Sequence, residues 1–148
     1  MSLQRFEGQA GRQALVEALL RQKIVGGNVT LANELVDCIK LRVVEKRAYL
    51  IQQGAHDTDL FLILDGTVDL MVNSQMVGRR MTNEHVGEIT AIEPTHKRAA
   101  SAVAIGAPAV VAVLSSADLA KFGDRYTEIY RCIARDLAQQ MILSDIML

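Results

Sequence analysis

The segment from residue 87 to residue 101 contains residue types that suit a bound phosphate. Gly87 has no side chain, so a ligand can come close to its backbone. A short helical turn beginning near Glu88 would direct unpaired backbone N–H groups towards the same spot, where they favour an anion. Arg98 adds a planar fork of donors that matches phosphate oxygens. The segment therefore predicts a site for a small anionic ligand.

Glu88 narrows that ligand to a sugar phosphate. A carboxylate repels a bare phosphate, but acidic residues accept hydrogen bonds from ribose hydroxyls in dinucleotide sites. Ala99 and Ala100 are small and leave their own N–H groups accessible. Two alternatives stay open, because Glu88 and Arg98 could pair with each other at the surface and Gly87 could be a β-bulge glycine.

Around this segment the sequence predicts a set of short β-strands. An apolar run at 60–64 is typical of a strand buried on both faces, and clean alternation predicts the next strand over Thr67–Val72. Further strands are expected over Gln75–Met81, 101–105 and Ala109–Leu114, with turns at Asp65-Gly66 and Asn73-Ser74. A plain hairpin needs only a few residues, so the long excursion at 87–101 is expected to be functional.

Helical patterns precede and follow these strands. An apolar stripe covers 13–23, and Thr30 is the expected N-cap of a second helix. Ser115 and Asp118 predict a capping box, and three-four apolar spacing predicts one long helix from Arg125 almost to the end of the chain. We expect a single domain over residues 1–148, with a helical lead-in at 8–40, a β core at 43–114 and C-terminal helices at 115–146. The fold class is α+β or mainly β, as an antiparallel sandwich or small barrel.

Composition and charge argue against several classes of protein. With 16 Lys and Arg against 17 Asp and Glu, the net charge of −1 lacks the basic excess of a nucleic-acid binder, and we expect no DNA-binding motif. The longest apolar stretch, 99–114, is too short and too broken by Gly106 and Pro108 to span a bilayer. Cys38 and Cys132 are interpreted as buried free thiols of a reducing, cytoplasmic compartment.

The sequence offers no recognisable catalytic constellation. His56, His85 and His96 lie far apart, so they are interpreted as surface or loop histidines and no metal site is predicted. Ser115-Ser116 lacks the context of a nucleophile elbow. We therefore expect a ligand sensor that is not an enzyme and carries no cofactor.

The run Gly87-Glu88-Ile89, followed by Arg98-Ala99-Ala100-Ser101, resembles the phosphate-binding cassette of the cyclic nucleotide-binding domain family. Gly54 and the run Phe61-Leu62-Ile63-Leu64-Asp65-Gly66-Thr67-Val68 are similar to that family's strand-turn-strand signature. The resemblance covers roughly 44–137 and extends to the cAMP-binding modules of catabolite activator-like regulators and protein kinase regulatory subunits. It implies an antiparallel β jelly roll (a double-stranded β-helix) with N-terminal and C-terminal helices that binds a cyclic mononucleotide.

The resemblance also implies a role for each residue of the cassette. Glu88 would bind the ribose 2′-hydroxyl and Arg98 the cyclic phosphate. Backbone N–H donors would come from Ile89, Thr90, Ala99 and Ala100. Members with Ala directly after the arginine tend to prefer cAMP, and those with Thr there tend to accept cGMP, so Ala99 favours cAMP. The sequence departs from the family pattern at 82–84, at His85-Val86 and in the loop 55–59.

In that family the helix after the barrel often covers the base, and the candidates here are Tyr126, Tyr130 and Ile133. The alternative is that this stripe, continued by Leu137 and Met141, is core or pairs two chains into a homodimer. Movement of the C-terminal helix on binding is the expected output. The rival functions are a nucleotide-independent interaction module and a metal-dependent jelly-roll enzyme. The chain is either a stand-alone sensor or a piece of a longer protein.

Overall fold

The computed structural model describes residues 3–147, which form eight β-strands flanked by helices. The strands are β1 Lys40–Val44, β2 Tyr49–Ile51, β3 Leu60–Asp65, β4 Thr67–Val72, β5 Gln75–Met81, β6 His85–Val86, β7 Ser101–Ala104 and β8 Ala109–Leu114. The helices are a 3-10 helix at Leu3–Phe6, α1 Gly8–Leu20, α2 Val29–Leu35, α3 Glu88–Ile92, α4 Ser116–Arg125 and α5 Glu128–Met147. The order of helices, β core and helices agrees with the pattern of the sequence.

The strands form two four-stranded antiparallel sheets, in the orders β1-β8-β3-β6 and β2-β7-β4-β5. In the first sheet β3 lies between β8 and β6, and in the second β4 lies between β7 and β5. The two sheets share one apolar core, to which both contribute side chains. This arrangement confirms the predicted antiparallel jelly roll with flanking helices.

Strand β3 supplies side chains to both apolar layers of the molecule. Phe61 and Ile63 lie between the sheets in contact with Val68 of β4. Leu60 and Leu62 point the other way and pack with α1, α2, α4 and α5. All four β3 side chains are at most 1% exposed, and burial of each contributes roughly 1.5–3 kcal/mol to folding. The wholly apolar run at 60–64 therefore reflects burial on both faces, as predicted.

Two turns fix the register of the strands that lead to the cassette. Asn73 and Ser74 join β4 to β5 with φ values of 51° and 67°, the positive angles that a tight two-residue hairpin requires. Gly66 joins β3 to β4 with φ at 122°, and a Cβ there would lie 2.8 Å from the Cβ of Ala109. The β3–β4 turn can therefore pack directly on β8 only because residue 66 is glycine.

Helix boundaries differ from the sequence prediction in two places. Asn28, not Thr30, caps α2, since its side chain accepts a hydrogen bond from the backbone N–H of Leu31 at 3.0 Å. The long helix predicted to begin at Arg125 begins instead at Glu128, because α4 continues to Arg125 and Tyr126 (φ −126°, ψ 82°) interrupts the helical backbone before α5. Asn28 and Thr30 are both suitable N-cap residues, and the apolar spacing includes Tyr126, so the sequence pattern alone did not place either boundary.

Of three further expectations about the fold, one is confirmed and two are corrected. The β core begins with β1 at Lys40, three residues before the predicted start at 43. Ser115 caps α4 as predicted, because its side chain accepts from the N–H of Asp118 at 3.1 Å. Both cysteines are free, but the expectation that they are buried is wrong, because Cys38 is exposed and Cys132 half-buried.

Candidate functional site

A cavity of about 870 Å³ opens between β5, the α3 turn and helix α5. The seven residues that the sequence singled out for ligand binding all line it: Gly87, Glu88, Ile89, Thr90, Arg98, Ala99 and Ala100. Apolar side chains of β4 and β5, including Leu70, Met76 and Val77, form another part of the lining. The cavity therefore joins a polar end at the cassette to an apolar wall.

Arg98 is buried at the polar end, with only 3% of the residue exposed. Its Nη1 donates to the carbonyl of Gly87 at 3.1 Å and to the hydroxyl of Thr90. Its Nη2 donates to Asp57 Oδ2 at 2.8 Å and to the carbonyl of Asp59 at 2.7 Å. The remaining donor, Nε, is buried and has no partner among the described residues. The guanidinium is thus fixed in orientation and keeps one unused donor.

The backbone of Arg98 is held by the loop between β2 and β3. Its N–H donates to the carbonyl of Ala55, and its carbonyl accepts from the N–H of Gly54, both at 2.8 Å. Asp57 of the same loop is half exposed, and the hydrogen bond from Arg98 lowers the pKa of its carboxyl. The β2–β3 loop therefore positions the guanidinium through hydrogen bonds to both the backbone and the side chain of Arg98.

Gly87 is required here for a reason that the sequence did not reveal. It precedes α3 in a left-handed conformation, with φ at 93°. A Cβ at this position would lie 2.8 Å from Arg98 Nη1 and 2.9 Å from the carbonyl oxygen of Asp59. We expected the glycine to admit a ligand, whereas the group that approaches it in the structure is the arginine. The β-bulge alternative does not apply, because Gly87 is the N-cap of α3.

Glu88 lies in the same cavity, and its charge acts on the imidazole of His85. The residue is 6% exposed, and within the described part of the chain no hydrogen bond or ion pair to its carboxylate is found. Arg98 pairs with Asp57 instead, so the alternative of a surface pair between Glu88 and Arg98 does not hold. The oxygens of Glu88 are not among the fully buried side-chain atoms that lack a partner, so the carboxylate is an acceptor that a ligand in the cavity can reach.

His85 lies directly before the cassette, and its interpretation as a surface or loop histidine is wrong. The residue is 3% exposed, and its Nε2 lies 3.7 Å from Asp136 Oδ2 of α5. Burial lowers the pKa of the imidazole, although the carboxylates of Glu88 and Asp136 act in the opposite direction. The side chain therefore connects the start of the cassette to the C-terminal helix.

The three residues predicted to cover a base lie elsewhere in this conformation. Ile133 is 1% exposed in the helix-facing core, and Tyr126 packs on the same cluster and donates to Glu34 at 3.2 Å. The ring of Tyr130 packs against Gly123 of α4. Of the described α5 residues, Gln140 lines the cavity. A contact between the base and the three predicted residues stays a prediction.

Sequence reasoning missed two polar residues of the lining, Arg80 on β5 and Gln140 on α5. Arg79 is exposed and pairs with Asp69 at 2.8 Å, whereas its neighbour Arg80 lines the cavity. The signal that could have located Arg80 is strand alternation, since consecutive residues of β5 point to opposite faces.

Comparison with known proteins agrees with this geometry. A model of the cyclic nucleotide-binding domain matches residues 41–126, more than half of the chain. The chain belongs to the cyclic nucleotide-binding domain family. Its fold is similar to a regulatory subunit of a cAMP-independent protein kinase A from Trypanosoma brucei, with a TM-score of 0.77 and 22% identity over 93% of this chain and 50% of that one. The catabolite activator protein of Thermus thermophilus aligns with a TM-score of 0.69 and 19% identity, over 79% and 56% of the two chains.

A curated relative contains the matching region within a longer chain. The Pycsar effector protein BcPycTIR from Burkholderia cepacia is 40% identical over 140 residues, which is 95% of this chain and 46% of that relative. The chain spans about half the length of the curated relatives it matches. These relatives overturn the expectation that the protein is not an enzyme. They are named as effectors that carry TIR in their names, and more than half of their length lies outside the match.

Two other features are not found among residues 3–147. None of the described helices combines the length and the apolar character that a bilayer crossing requires. Within residues 3–147, no group of three His, Cys, Asp or Glu side chains converges as metal ligands.

Proposed function

We propose that the cavity binds a 3′,5′-cyclic mononucleotide, prefers cAMP to cGMP, and transmits binding to α5. One observation carries the proposal: one cavity contains the buried, oriented Arg98 and also Glu88, whose carboxylate accepts no hydrogen bond from the described residues. A cation next to an available acceptor suits a ligand that carries a phosphate and a hydroxyl group close together.

The phosphate would lie between Arg98 and the first turn of α3. The first N–H groups of a helix have no intrahelical partner, and Ile89 and Thr90 provide such groups at the cavity. Arg98 Nε is buried and unpaired, so a phosphate oxygen that reaches it would satisfy a donor that the protein leaves open. A charge-assisted bond of this kind is worth about 1.5–3 kcal/mol.

The ribose would lie next to Glu88. Its carboxylate accepts no hydrogen bond within the described residues, and a ligand that covers it would need to supply a donor. The 2′-hydroxyl of a ribose would supply that donor. A 2′-deoxy ligand would leave the carboxylate buried and unsatisfied.

Base preference and output involve the two flanking parts of the cavity. Ala99 offers no side-chain hydroxyl to a guanine, which favours cAMP over cGMP. Helix α5 reaches the cavity through Gln140, so a ligand that contacts Gln140 would change the position of the helix.

Met141 and Ile142 are 68% and 57% exposed, and we propose that they pair two copies of the chain. The free thiols Cys38 and Cys132 support a reducing compartment, for which we propose the cytoplasm.

Thermal unfolding and calorimetric titration with a set of nucleotides test the proposal. The set contains cAMP, cGMP, cCMP, cUMP, a cyclic dinucleotide and AMP. A cyclic mononucleotide at a hundredfold excess over its Kd is expected to add about 2.7 kcal/mol to the free energy of unfolding. Stabilisation by none of these would overturn the proposed function, and tighter binding of another cyclic mononucleotide than of cAMP would overturn the base preference alone.

Three variants separate the parts of the ligand. Glu88→Gln keeps the shape of the side chain and is expected to weaken binding at least tenfold, because an amide is a poorer acceptor. Glu93→Gln on the exposed end of α3 is its matched control. Arg98→Ala is expected to abolish binding, and Ala99→Thr to raise the affinity for cGMP relative to cAMP. Wild-type affinity in Glu88→Gln would disprove the assignment of the ribose.

A further inference from the structure

Arg80 points into the molecule although it lies on an edge strand next to a surface arginine. It is the register partner of Val68, and Val68 is fully buried in the core between the sheets. Side chains directly opposite each other on antiparallel strands lie on the same face. Arg79, one residue earlier, faces outwards and pairs with Asp69. Arg80 is therefore an inward-facing cation.

The guanidinium of Arg80 lies along the cavity wall. A Cβ built at Gly78, two residues earlier on β5, would be 3.6 Å from Arg80 Nη1 and 3.6 Å from Leu70 Cδ1. Gly78, Leu70 and Arg80 all line the cavity. Because residue 78 has no side chain, the arginine lies over its backbone beside the apolar residues of the wall.

Most donors of Arg80 are unused. Nη1 donates to the carbonyl of Arg79 at 2.9 Å, and among residues 3–147 no carboxylate forms an ion pair with Arg80. Glu84, whose pKa is lowered in part by the charge of Arg80, is already bonded to Lys23 at 3.0 Å and to the N–H of Met81 at 2.9 Å. A half-buried cation with open donors favours an acceptor from a ligand.

We propose that Arg80 donates hydrogen bonds to the acceptor edge of the base, and so favours bases that carry a carbonyl oxygen on that edge (O6 of guanine or O4 of uracil) over bases that carry an amino group there. This inference rests on the proposed function. Leu70, Met76 and Val77 around it suit the flat faces of a base rather than a phosphate, and the phosphate donors belong to the cassette. An arginine matches the O6 and N7 acceptors of guanine, whereas adenine places an amino donor beside N7. Arg80 would thus favour cGMP over cAMP, whereas Ala99 favours cAMP.

The test compares Arg80→Met with Arg79→Met, its outward-facing neighbour, by calorimetric titration of cAMP, cGMP, cCMP and cUMP. Arg80→Met is expected to lower the affinity for cGMP about tenfold or more, since one good bidentate pair discriminates by about this factor. The affinity for cUMP, whose O4 accepts a single bond on that edge, is expected to fall by less. The affinities for cAMP and cCMP, whose bases carry an amino group there, are expected to fall least. The ratio of cAMP affinity to cGMP affinity therefore rises. Arg79→Met is expected to leave all the ratios unchanged.

Several results would overturn the inference. An equal loss for all four nucleotides in Arg80→Met would indicate general electrostatic attraction, and no loss would remove the contact. If Arg80→Met fails to fold by thermal unfolding, Arg80→Lys replaces it, and unchanged ratios in that variant also overturn the inference. Wild-type protein that binds none of the four would overturn both this inference and the proposed function, whereas binding with ratios insensitive to Arg80 would overturn this inference alone.

Discussion

At the scale of single residues, Arg98 shows how a buried charge is kept stable and available. Removing a guanidinium from water is costly unless its donors are satisfied. Two carbonyls, a hydroxyl and the Asp57 carboxylate satisfy four of the five donors. The site is therefore oriented before a ligand arrives, and an incoming phosphate does not have to order this side chain.

Gly87→Ala tests the close approach of Arg98 to the backbone. Positive φ alone destabilises a residue with a Cβ by about 1–2 kcal/mol, and Gly106→Ala is a matched control, because Gly106 has a φ of 77° with nothing within 4 Å of its Cβ position. Gly87→Ala is expected to lose roughly 3 kcal/mol or more, since its Cβ would also meet Arg98 and Asp59. Urea unfolding measures both losses.

Binding provides the second readout for this pair of glycine variants. Gly106→Ala is expected to keep the wild-type affinity for the cyclic nucleotide, and Gly87→Ala to lose at least tenfold, because the guanidinium must move. Equal affinities in the two variants would show that the contact between Gly87 and Arg98 does not position the ligand site.

At the scale of secondary structure elements, β6 and α5 are connected by His85 and Asp136. Asp136 lies four residues before Gln140 on α5, so the two side chains lie on one face of the helix. One of them contacts the histidine that precedes the cassette, and the other lines the cavity. The position of α5 is therefore linked to the cassette by two neighbouring turns of one helix.

The buried imidazole of His85 makes stability depend on pH. Burial lowers its pKa, the charges of Arg80 and Lys23 act in the same direction, and Glu88 and Asp136 oppose it. The fold thus favours neutral His85, so its contribution is complete above the unfolded-state pKa of about 6.5 and is lost as the pH falls below that value. Wild-type stability is expected to fall between pH 7.5 and pH 5.5 more steeply than that of His85→Gln.

Urea unfolding at several pH values measures this difference. His96→Gln is the matched control, because His96 is exposed in the loop after α3. Its pH profile is expected to follow that of wild type. A His85→Gln profile parallel to wild type would contradict the assignment of the acid-sensitive group.

The elements themselves were largely predictable, because their signals are local. Alternation in Thr67–Val72 and the apolar run at 60–64 each reflect which faces are buried, and the structure confirms both strands. The burial of His85 was not predictable, since it depends on α5 crossing β6 from a distant part of the sequence. The start of α5 was predicted three residues too early, because the apolar spacing includes Tyr126, where the backbone is not helical.

The candidate site was predictable to the extent that it lies in one segment. The cassette at 87–101 supplies seven lining residues that the sequence identified. Arg80 and Gln140 come from other elements, and only register and helix phase bring them to the cavity. The sequence also could not show that Asp57, 41 residues away, is the partner of Arg98.

At the scale of the whole molecule, the exposed end of α5 is the surface through which two copies are proposed to pair. Met141→Glu with Ile142→Glu is expected to convert a dimer into a monomer, since burying two unpaired carboxylates would be unfavourable. Met81→Glu on β5, where the side chain is likewise exposed, is the matched control. Sedimentation equilibrium measures the mass, and a wild-type monomer or an unaffected dimer would contradict the pairing.

Strand β5 carries Arg80 and is hydrogen bonded to a neighbouring strand only through β4, because it is the last strand of its sheet. The cassette end of the cavity, by contrast, is held by the β2–β3 loop on the buried Arg98. The β5 wall is therefore expected to be displaced more easily than the cassette wall. A bound nucleotide would leave by displacing the β5 wall rather than the phosphate end, so the residence time of the ligand would be controlled by an edge strand far from its strongest charge.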